Sequence, residues 1–169
     1  MTMTDEKLSC RIDRLPSACA LEFAAFAWPA PDTSELAWPS KPGAVRYDER
    51  RRPLLLHYAP GRWLAPEPSL EIRSLLATAA QAAVGVVVEV TGKRDALLIS
   101  GTGATRLLAC AIAIEAVLNA RDCAALTLFD CPAILARAPE GFAVWVQSSY
   151  TTDFVTTAER FRASLESPP

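Results

Sequence analysis

Residues 86–106 constrain the fold more than any other part of this sequence, because they combine two strand signals with a helix start. They read VVVEVTGKRDALLISGTGATR, in which two apolar runs, the first of them β-branched, flank a polar turn at residues 91–95. Such runs favour strands, and a short polar turn between them favours a hairpin. We therefore predict that a strand at residues 86–90 pairs with a strand at residues 96–99. A glycine step then opens onto a helix that Thr102 is expected to cap.

The rest of the pattern predicts an α+β fold in which helices pack on an antiparallel sheet. Ser69 is a suitable N-cap for a helix that ends near residue 85, and a second amphipathic helix is predicted at residues 153–165. The predicted buried face of the first helix consists of Leu70, Leu75, Leu76 and Ala79. Further strands are predicted at residues 54–58, 62–64, 124–129, 133–137 and 142–147.

The first third of the chain differs in composition from the rest. Residues 16–68 contain nine prolines and three of the four tryptophans. Proline disfavours long helices, whereas disordered segments are poor in aromatic residues. We therefore predict an extended Pro/Trp-rich arm at residues 1–52, followed by an α+β domain at residues 53–166. The arm is expected to lay its aromatic side chains on the chain's own core or on another chain.

Charge and hydropathy argue against two classes of partner. The net charge of −2 gives no basic field for nucleic acid. Residues 46–52 are locally basic, which is typical of a solvated loop or of a surface that pairs with an acidic partner. No stretch reaches the roughly 18–20 apolar residues that span a bilayer, so no membrane partner is predicted. Residues 1–7 lack the pattern of a signal peptide, and we expect a cytoplasmic protein.

Few residues qualify as a catalytic or metal-binding site. The five cysteines include no Cys-x-x-Cys pair, and His57 is the one histidine, so reduced thiols are expected and a zinc site is not. His57 has no carboxylate or nucleophile near it in sequence and is interpreted as structural. Cys123 and Cys131 are interpreted as packing residues. We predict no catalytic, cofactor-binding or metal-binding residue in this chain. The alternative is that the chain is a small enzyme that uses His57 or a cysteine.

The glycine step at residues 101–103 does not match a phosphate-binding motif. A P-loop requires Gly-Lys-Ser/Thr at the helix start, where this chain has Ala-Thr-Arg, and a dinucleotide fingerprint requires glycine where Arg106 stands. We interpret the step as a strand exit with a helix cap, with anion binding near Arg106 as the alternative. Residues 148–150 are interpreted as a helix-capping turn, and Glu89 as a solvated position at a sheet edge.

Four short segments, taken in their order and spacing, carry a more specific signal than any of them alone. Residues 61–64 look like a Gly-x-x-Trp-Leu strand, and residues 89–93 stand where an Asp-Val-Ser-x-Arg strand and turn is found. Residues 98–104 are similar to a Leu-Ser-Gly-Pro-x-Ala element, and residues 142–150 to a final strand and turn. Together they resemble the gamma subunit of heterotetrameric sarcosine oxidase, a group related to the aminomethyltransferase (T-protein) of glycine cleavage.

The resemblance implies a T-protein-like fold that lacks a catalytic site, in which the helix after the glycine step breaks near Ala109 and residues 112–118 form a connection. Several positions depart from the family pattern: Thr102 and Gly103 replace Pro-Asp/Glu, and Ser148 stands where arginine is common. These departures indicate a divergent relative that acts on sarcosine or on another N-methylated amine or amino acid.

The resemblance also implies partners and a role. The complex would be an oxidoreductase that demethylates its substrate and passes the one-carbon unit to tetrahydrofolate. FAD, FMN, NAD and tetrahydrofolate would be held by the alpha and beta subunits, zinc by the delta subunit, and this chain would be structural. A free-standing folate-binding one-carbon transfer protein is the alternative. If the chain is a subunit of the complex, the arm would dock on a partner subunit. The predicted interface residues are Trp28, Trp38, Arg46, Arg50 and Trp63.

Overall fold

The computed structural model describes residues 9–16, 19–26, 38–82 and 85–166. Within these ranges the chain forms ten strands and four α-helices. The strands are β1 (Arg11–Arg14), β2 (Ala20–Ala25), β3 (Val45–Tyr47), β4 (Pro53–Ala59), β5 (Arg62–Pro66), β6 (Gly85–Glu89), β7 (Arg94–Ser100), β8 (Cys123–Leu128), β9 (Cys131–Ala138) and β10 (Gly141–Gln147). The helices are α1 (Leu70–Ala82), α2 (Ala104–Ala109), α3 (Ile114–Leu118) and α4 (Thr151–Glu166), and a 3₁₀ turn at Ser148–Tyr150 precedes α4.

The strands form two five-stranded sheets rather than one. Sheet A has the order β1-β7-β10-β9-β8, and sheet B has the order β3-β4-β5-β2-β6. Every pair of neighbouring strands in the two sheets is antiparallel. The α+β class and the antiparallel pairing are therefore confirmed, whereas a single sheet was the wrong arrangement.

The sheets and helices form four layers. Side chains alternate between the two faces of a sheet, and in both sheets apolar side chains occur on each face and need to be buried. The outer face of sheet B packs on α1, and the outer face of sheet A packs on α2, α3 and α4. The two inner faces meet in a third apolar cluster. Its buried members are Leu56, Leu64, Val90, Cys123, Ile134, Ala136, Ala143 and Trp145.

The predicted hairpin between the two strands of residues 86–106 does not form. β6 pairs with β2 in sheet B, whereas β7 pairs with β1 and β10 in sheet A. The turn between them, closed by a hydrogen bond from Lys93 N to Val90 O, carries the chain from one sheet to the other. Val87 packs into the core of sheet B, and Leu97 and Ile99 pack into the core of sheet A, so the two strands serve different cores.

The predicted boundary between an arm and a domain at residue 53 does not separate structural units in the described residues. β1 lies in sheet A, β3 lies in sheet B, and β2 is an inner strand between β5 and β6. The side chain of Phe23 on β2 is fully buried. Phe23 belongs to the core of sheet B and Trp38 packs against that core, so this third of the chain contributes to the chain's own core. Trp28 lies outside the described residues.

Helix α1 confirms the predicted cap and corrects one predicted core residue. Ser69 Oγ accepts a hydrogen bond from Ile72 N at 3.3 Å, which satisfies one amide of the first turn. Leu70 is 86% exposed, and Ile72 is buried in its place with Leu75, Leu76 and Ala79. Leu70 lies two positions before Ile72, which is about 200° around the helix, so it points to the opposite side.

Helix α2 begins without the predicted side-chain cap and ends where the resemblance implied. Its N-cap is Gly103, without a side-chain hydrogen bond, so the predicted cap by Thr102 is wrong. Thr102 Oγ1 instead accepts a hydrogen bond from Ser9 N at 3.2 Å. The helix ends at Ala109, as the resemblance implied, and the following connection contains the short helix α3. No helix in the described ranges is both long and apolar enough to cross a bilayer.

Candidate functional site

Two of the predicted interface residues belong to an aromatic cluster inside sheet B. Trp63 has no exposed surface, lies 4.2 Å from the His57 ring in a stacked arrangement, and donates from Nε1 to Pro39 O at 3.1 Å. Trp38 is half-buried and contacts Phe23 edge-on at 5.9 Å. Trp63 is therefore a core residue with no surface left for a partner, because the aromatic side chains of sheet B pack on one another.

The two predicted interface arginines are placed differently. The Arg46 side chain is 19% exposed, and its Nη2 lies 2.7 Å from Glu71 Oε1 on α1. Arg50 is exposed on the loop before β4, where its backbone amide donates to Asp48 Oδ1. Hydrogen bonds from Arg52, of which the one from its backbone amide has the largest effect, hold the pKa of the Asp48 carboxyl below its usual range. Arg46 therefore anchors α1, whereas Arg50 is presented to solvent.

His57 is a buried core residue, as predicted. Its Nδ1 lies 3.0 Å from Pro39 O, and the ring has no exposed surface. Burial lowers the pKa of the imidazole because the charged form loses its solvation. The ring is therefore neutral near pH 7 and packs against Trp63, so it is placed as a structural group.

The buried cysteines are placed as packing residues. Cys123 Sγ donates to the carbonyl oxygens of Ala44 and His57, both at 3.6 Å. Burial, assisted by the charge of Asp122, raises the pKa of the Cys123 thiol to about 12. Burial also raises the pKa of the Cys131 thiol. Neither sulfur is a thiolate near neutral pH, which removes the nucleophile that thiol catalysis requires.

A cluster of charged side chains joins the two sheets. Glu22 on β2 accepts a short hydrogen bond from the Tyr58 hydroxyl and lies 3.5 Å from Arg62 and 3.6 Å from Arg94. Burial, and then the hydrogen bond to Glu22, raises the pKa of Tyr58 well above its usual value. Because the cluster contains the guanidinium groups of Arg62 and Arg94 and only the carboxylate of Glu22, it has a net positive charge. Because Glu22 is committed to three partners, it does not serve as a general base.

Sequence reasoning did not single out this cluster. Its members come from β2, β4, β5 and β7, so no local motif contains them. One signal was available: Glu22 is the one charged residue in the apolar run of residues 20–26, and a carboxylate within an apolar strand needs partners.

A cavity of about 370 Å³ lies between the inner faces of the two sheets. It remains open because small side chains stand where the sheets would otherwise fill the space. Its volume falls within the range of small-ligand sites. The alanines that line it are Ala20, Ala96, Ala138 and Ala143, and the larger apolar walls include Leu54, Leu64, Leu98 and Trp145.

The charged groups of this cavity do not form a reacting set. Arg94, which also pairs with Glu22, lines the cavity. The exposed side chains of Arg52, Glu67 and Glu140 also contribute to the lining. The half-buried Cys19 also lines the cavity, with its sulfur 2.9 Å from Arg73 Nη2. Within the described part of the chain, no group of three or more His, Cys, Asp and Glu side chains is arranged to hold a metal ion. The arrangement is suited to packing or binding rather than to proton transfer.

Comparison with known proteins gives a match at the level of fold. No protein-family model matches this sequence, and no curated protein matches it either. The structure is similar to a chain of the heterotetrameric sarcosine oxidase from Corynebacterium sp. U-96, solved in complex with pyrrole 2-carboxylate. The TM-score is 0.77, the sequence identity is 16%, and the match covers 96% of this chain and 88% of the other. At this identity the likeness concerns the fold alone.

Proposed function

We propose that this chain is a non-catalytic, structural subunit of a multi-subunit flavoenzyme of the sarcosine oxidase type, equivalent to its gamma subunit. The observation that carries the proposal is the fold match to a chain of a heterotetrameric sarcosine oxidase. Because the match covers nearly all of both chains, the two chains are of similar length. This similarity supports an equivalent subunit rather than one domain of a large catalytic chain.

The chemistry of the described residues supports a non-catalytic role. Glu22 is neutralised by Arg62 and Arg94, His57 is neutral and buried, and the raised pKa of Cys123 keeps its thiol protonated. In this proposal the complex oxidatively demethylates sarcosine or a related N-methyl amino acid in the cytoplasm. FAD, FMN, NAD, tetrahydrofolate and zinc are held by alpha, beta and delta subunits, and this chain stabilises their assembly.

Co-expression tests the proposal directly. The chain is co-expressed with the large flavoprotein subunits that the proposal requires, and the tagged chain is purified. We expect a stoichiometric, flavin-coloured complex that oxidises an N-methyl amino acid, and no flavin on the chain when it is produced alone. His57→Ala or Cys123→Ala should leave turnover per assembled complex unchanged. Loss of turnover in an intact complex would contradict a structural role.

The cavity between the sheets is the observation that favours the alternative, a free-standing folate-binding protein. That function requires the isolated chain to bind tetrahydrofolate, which calorimetry measures. Ala143→Leu would fill the cavity, whereas Ala125→Leu places the same side chain at an exposed position of β8. Tight binding that Ala143→Leu removes and Ala125→Leu retains would establish the alternative. We expect no tight binding to any of the three proteins.

A further inference from the structure

Strand β6 leaves one side of sheet B without a strand in the described part of the chain. Val90 N donates to Ala20 O at 2.8 Å, which fixes the hydrogen-bonding alternation of this antiparallel pair. The backbone groups of Val86 and Val88 consequently face β2. Those of Val87 and Glu89 point away from it, so two N–H and two C=O groups are directed towards the open edge.

The same edge carries exposed apolar side chains. Val86 is 40% exposed and Val88 is 41% exposed, and their alternation places both on the face turned towards the ends of β7 and β10. Phe26, 75% exposed, directly follows β2, whose residue Ala25 pairs with Gly85 at the start of β6. Exposed apolar groups concentrated at a sheet edge are typical of an interaction site.

Beside β6 lies a basic groove, which we call the β6 groove. It has a volume of about 580 Å³. Its charged residues are three cations, Arg62, Lys93 and Arg94, and one carboxylate, Glu22. Glu22 already pairs with both arginines, whereas no ion pair of Lys93 exists among the described residues. The β6 groove therefore has a surplus of two positive charges, and its polar lining continues through Gln147, Ser148 and Ser149.

From these features we infer that β6 is a docking edge that binds an extended, acidic segment of a partner subunit as an additional strand of sheet B. This inference rests on the proposed function, since it supposes a partner. Backbone groups of the segment pair with Val87 and Glu89, and every second side chain of the segment faces the β6 groove, with apolar ones over Val86 and Val88 and carboxylates at the end beside Lys93.

Charge argues for an acidic partner rather than a second copy of this chain. Two copies joined through β6 would bring two positively charged grooves together, and like charges oppose such a contact. The shortness of β6, five residues, and the charge on Glu89 also disfavour indiscriminate edge pairing. An acidic segment meets neither obstacle, because its carboxylates neutralise the surplus charge.

A peptide titration of the full chain tests the edge itself. The probe is an eight-residue peptide in which threonine occupies every second position and the other four positions are two valines and then two glutamates, and the control has lysine in place of glutamate. In ¹⁵N-resolved NMR we expect the acidic peptide to shift the amide resonances of Val87 and Glu89 and to slow their hydrogen exchange. Equal binding of the two peptides, or shifts confined to another surface, would overturn the inference.

Two pairs of matched variants separate the contributions. Glu89→Pro removes an outward N–H that β2 does not use, whereas Glu89→Ala removes only the side chain. We expect Glu89→Pro to weaken acidic-peptide binding by roughly tenfold relative to Glu89→Ala, which is the range expected for one hydrogen bond. Lys93→Glu should weaken binding severalfold, whereas Lys41→Glu makes the same charge change outside the β6 groove and should have no effect.

The same variants, incorporated into the co-expressed complex, distinguish this inference from the proposed function. If the wild-type chain forms the flavin-containing complex while Glu89→Pro and Lys93→Glu are lost from it during purification, both the proposed function and the docking edge at β6 are supported. If those variants are retained as firmly as wild type, the partner docks elsewhere and the inference is wrong. If wild type forms no complex, the proposed function fails, and the peptide result alone decides whether β6 is a docking edge.

Discussion

The imidazole of His57 makes stability depend on pH in a defined direction. Burial lowers its pKa below the ordinary histidine value of 6.5, so near that pH the unfolded chain binds a proton that the folded chain does not. The free energy of unfolding should therefore fall as the pH is lowered through 6.5, by up to about 1.4 kcal/mol per pH unit. Because His57 is the one histidine, urea titrations between about pH 7.5 and 5.5 measure it, and the slope should vanish in His57→Gln.

Thiol reactivity should separate the cysteines by their surroundings. Cys110 is exposed, whereas Cys123 is buried with a pKa of about 12. At about pH 8 we expect a disulfide reagent to label Cys110 quickly and Cys123 far more slowly, because Cys123 is buried and its raised pKa keeps the thiol protonated. Mass spectrometry of native and urea-unfolded protein checks this. Rapid native labelling of Cys123 would contradict its burial.

Single residues were predictable where their chemistry is local. Ser69 was recognised as a cap because the bond it makes lies within one helical turn, and His57 was recognised as structural because nothing reactive adjoins it. Trp63 was misplaced, because an exposed anchor and a core tryptophan have the same sequence signature. Glu22 was overlooked, because its partners Arg62 and Arg94 become neighbours only when the two sheets assemble.

The connection between β9 and β10 depends on a glycine that has no substitute. Gly141 has φ of +148°, and an added Cβ would lie 2.2 Å from Ile99 O on β7. We expect Gly141→Ala to lower the free energy of unfolding by about 3 kcal/mol, because the backbone must shift in the middle of sheet A. Gly92 is the control: its φ is +73°, but among the described residues no atom lies within 4 Å of an added Cβ.

Gly92→Ala should consequently cost only about 1 kcal/mol, the price of the left-handed conformation for alanine. Chemical denaturation of the two variants beside wild type measures both values. Equal losses would mean that the close approach of Gly141 to β7 does not contribute.

The seven strands β4 to β10 were predictable as elements, but their partners were not, and β1, β2 and β3 lie in the segment that was predicted to be an extended arm. The apolar runs that mark β6 and β7 reflect burial, and burial is available in either sheet. Adjacency in sequence suggested that the two strands pair. The competing partners, β2 for β6 and β10 for β7, are distant in sequence, and periodicity contains no information about them. The order of the sheets therefore required the structure.

At the scale of the whole molecule, the first 52 residues decide whether the chain folds. Removing them would take away an inner strand of sheet B and leave β5 and β6 without a common neighbour. We expect a chain of residues 53–169 to lack a cooperative thermal transition by circular dichroism. A folded, cooperatively melting product would restore the interpretation of residues 1–52 as an appended arm.

A pair of point variants tests the same dependence without deletion. Phe23 is fully buried and Phe26 is 75% exposed, three positions apart. Phe23→Ala should lower the free energy of unfolding by about 3–5 kcal/mol, because it empties a core site, whereas Phe26→Ala should be nearly neutral. Urea denaturation compares them. A small loss for Phe23→Ala would mean that β2 contributes little to the core.

The position of β2 also has a consequence for biosynthesis. This strand leaves the ribosome early, yet one of its neighbours, β6, ends only at Glu89. At a synthesis rate of about 5–20 residues per second, the apolar strand β2 is therefore made several seconds before its partner strand β6 is complete. During that interval a nascent chain presents Leu21 and Phe23 to whatever surrounds it. Holdase chaperones should therefore raise the yield of this protein even when every assembly partner is present, and they should do so less for a circular permutant that begins at β4.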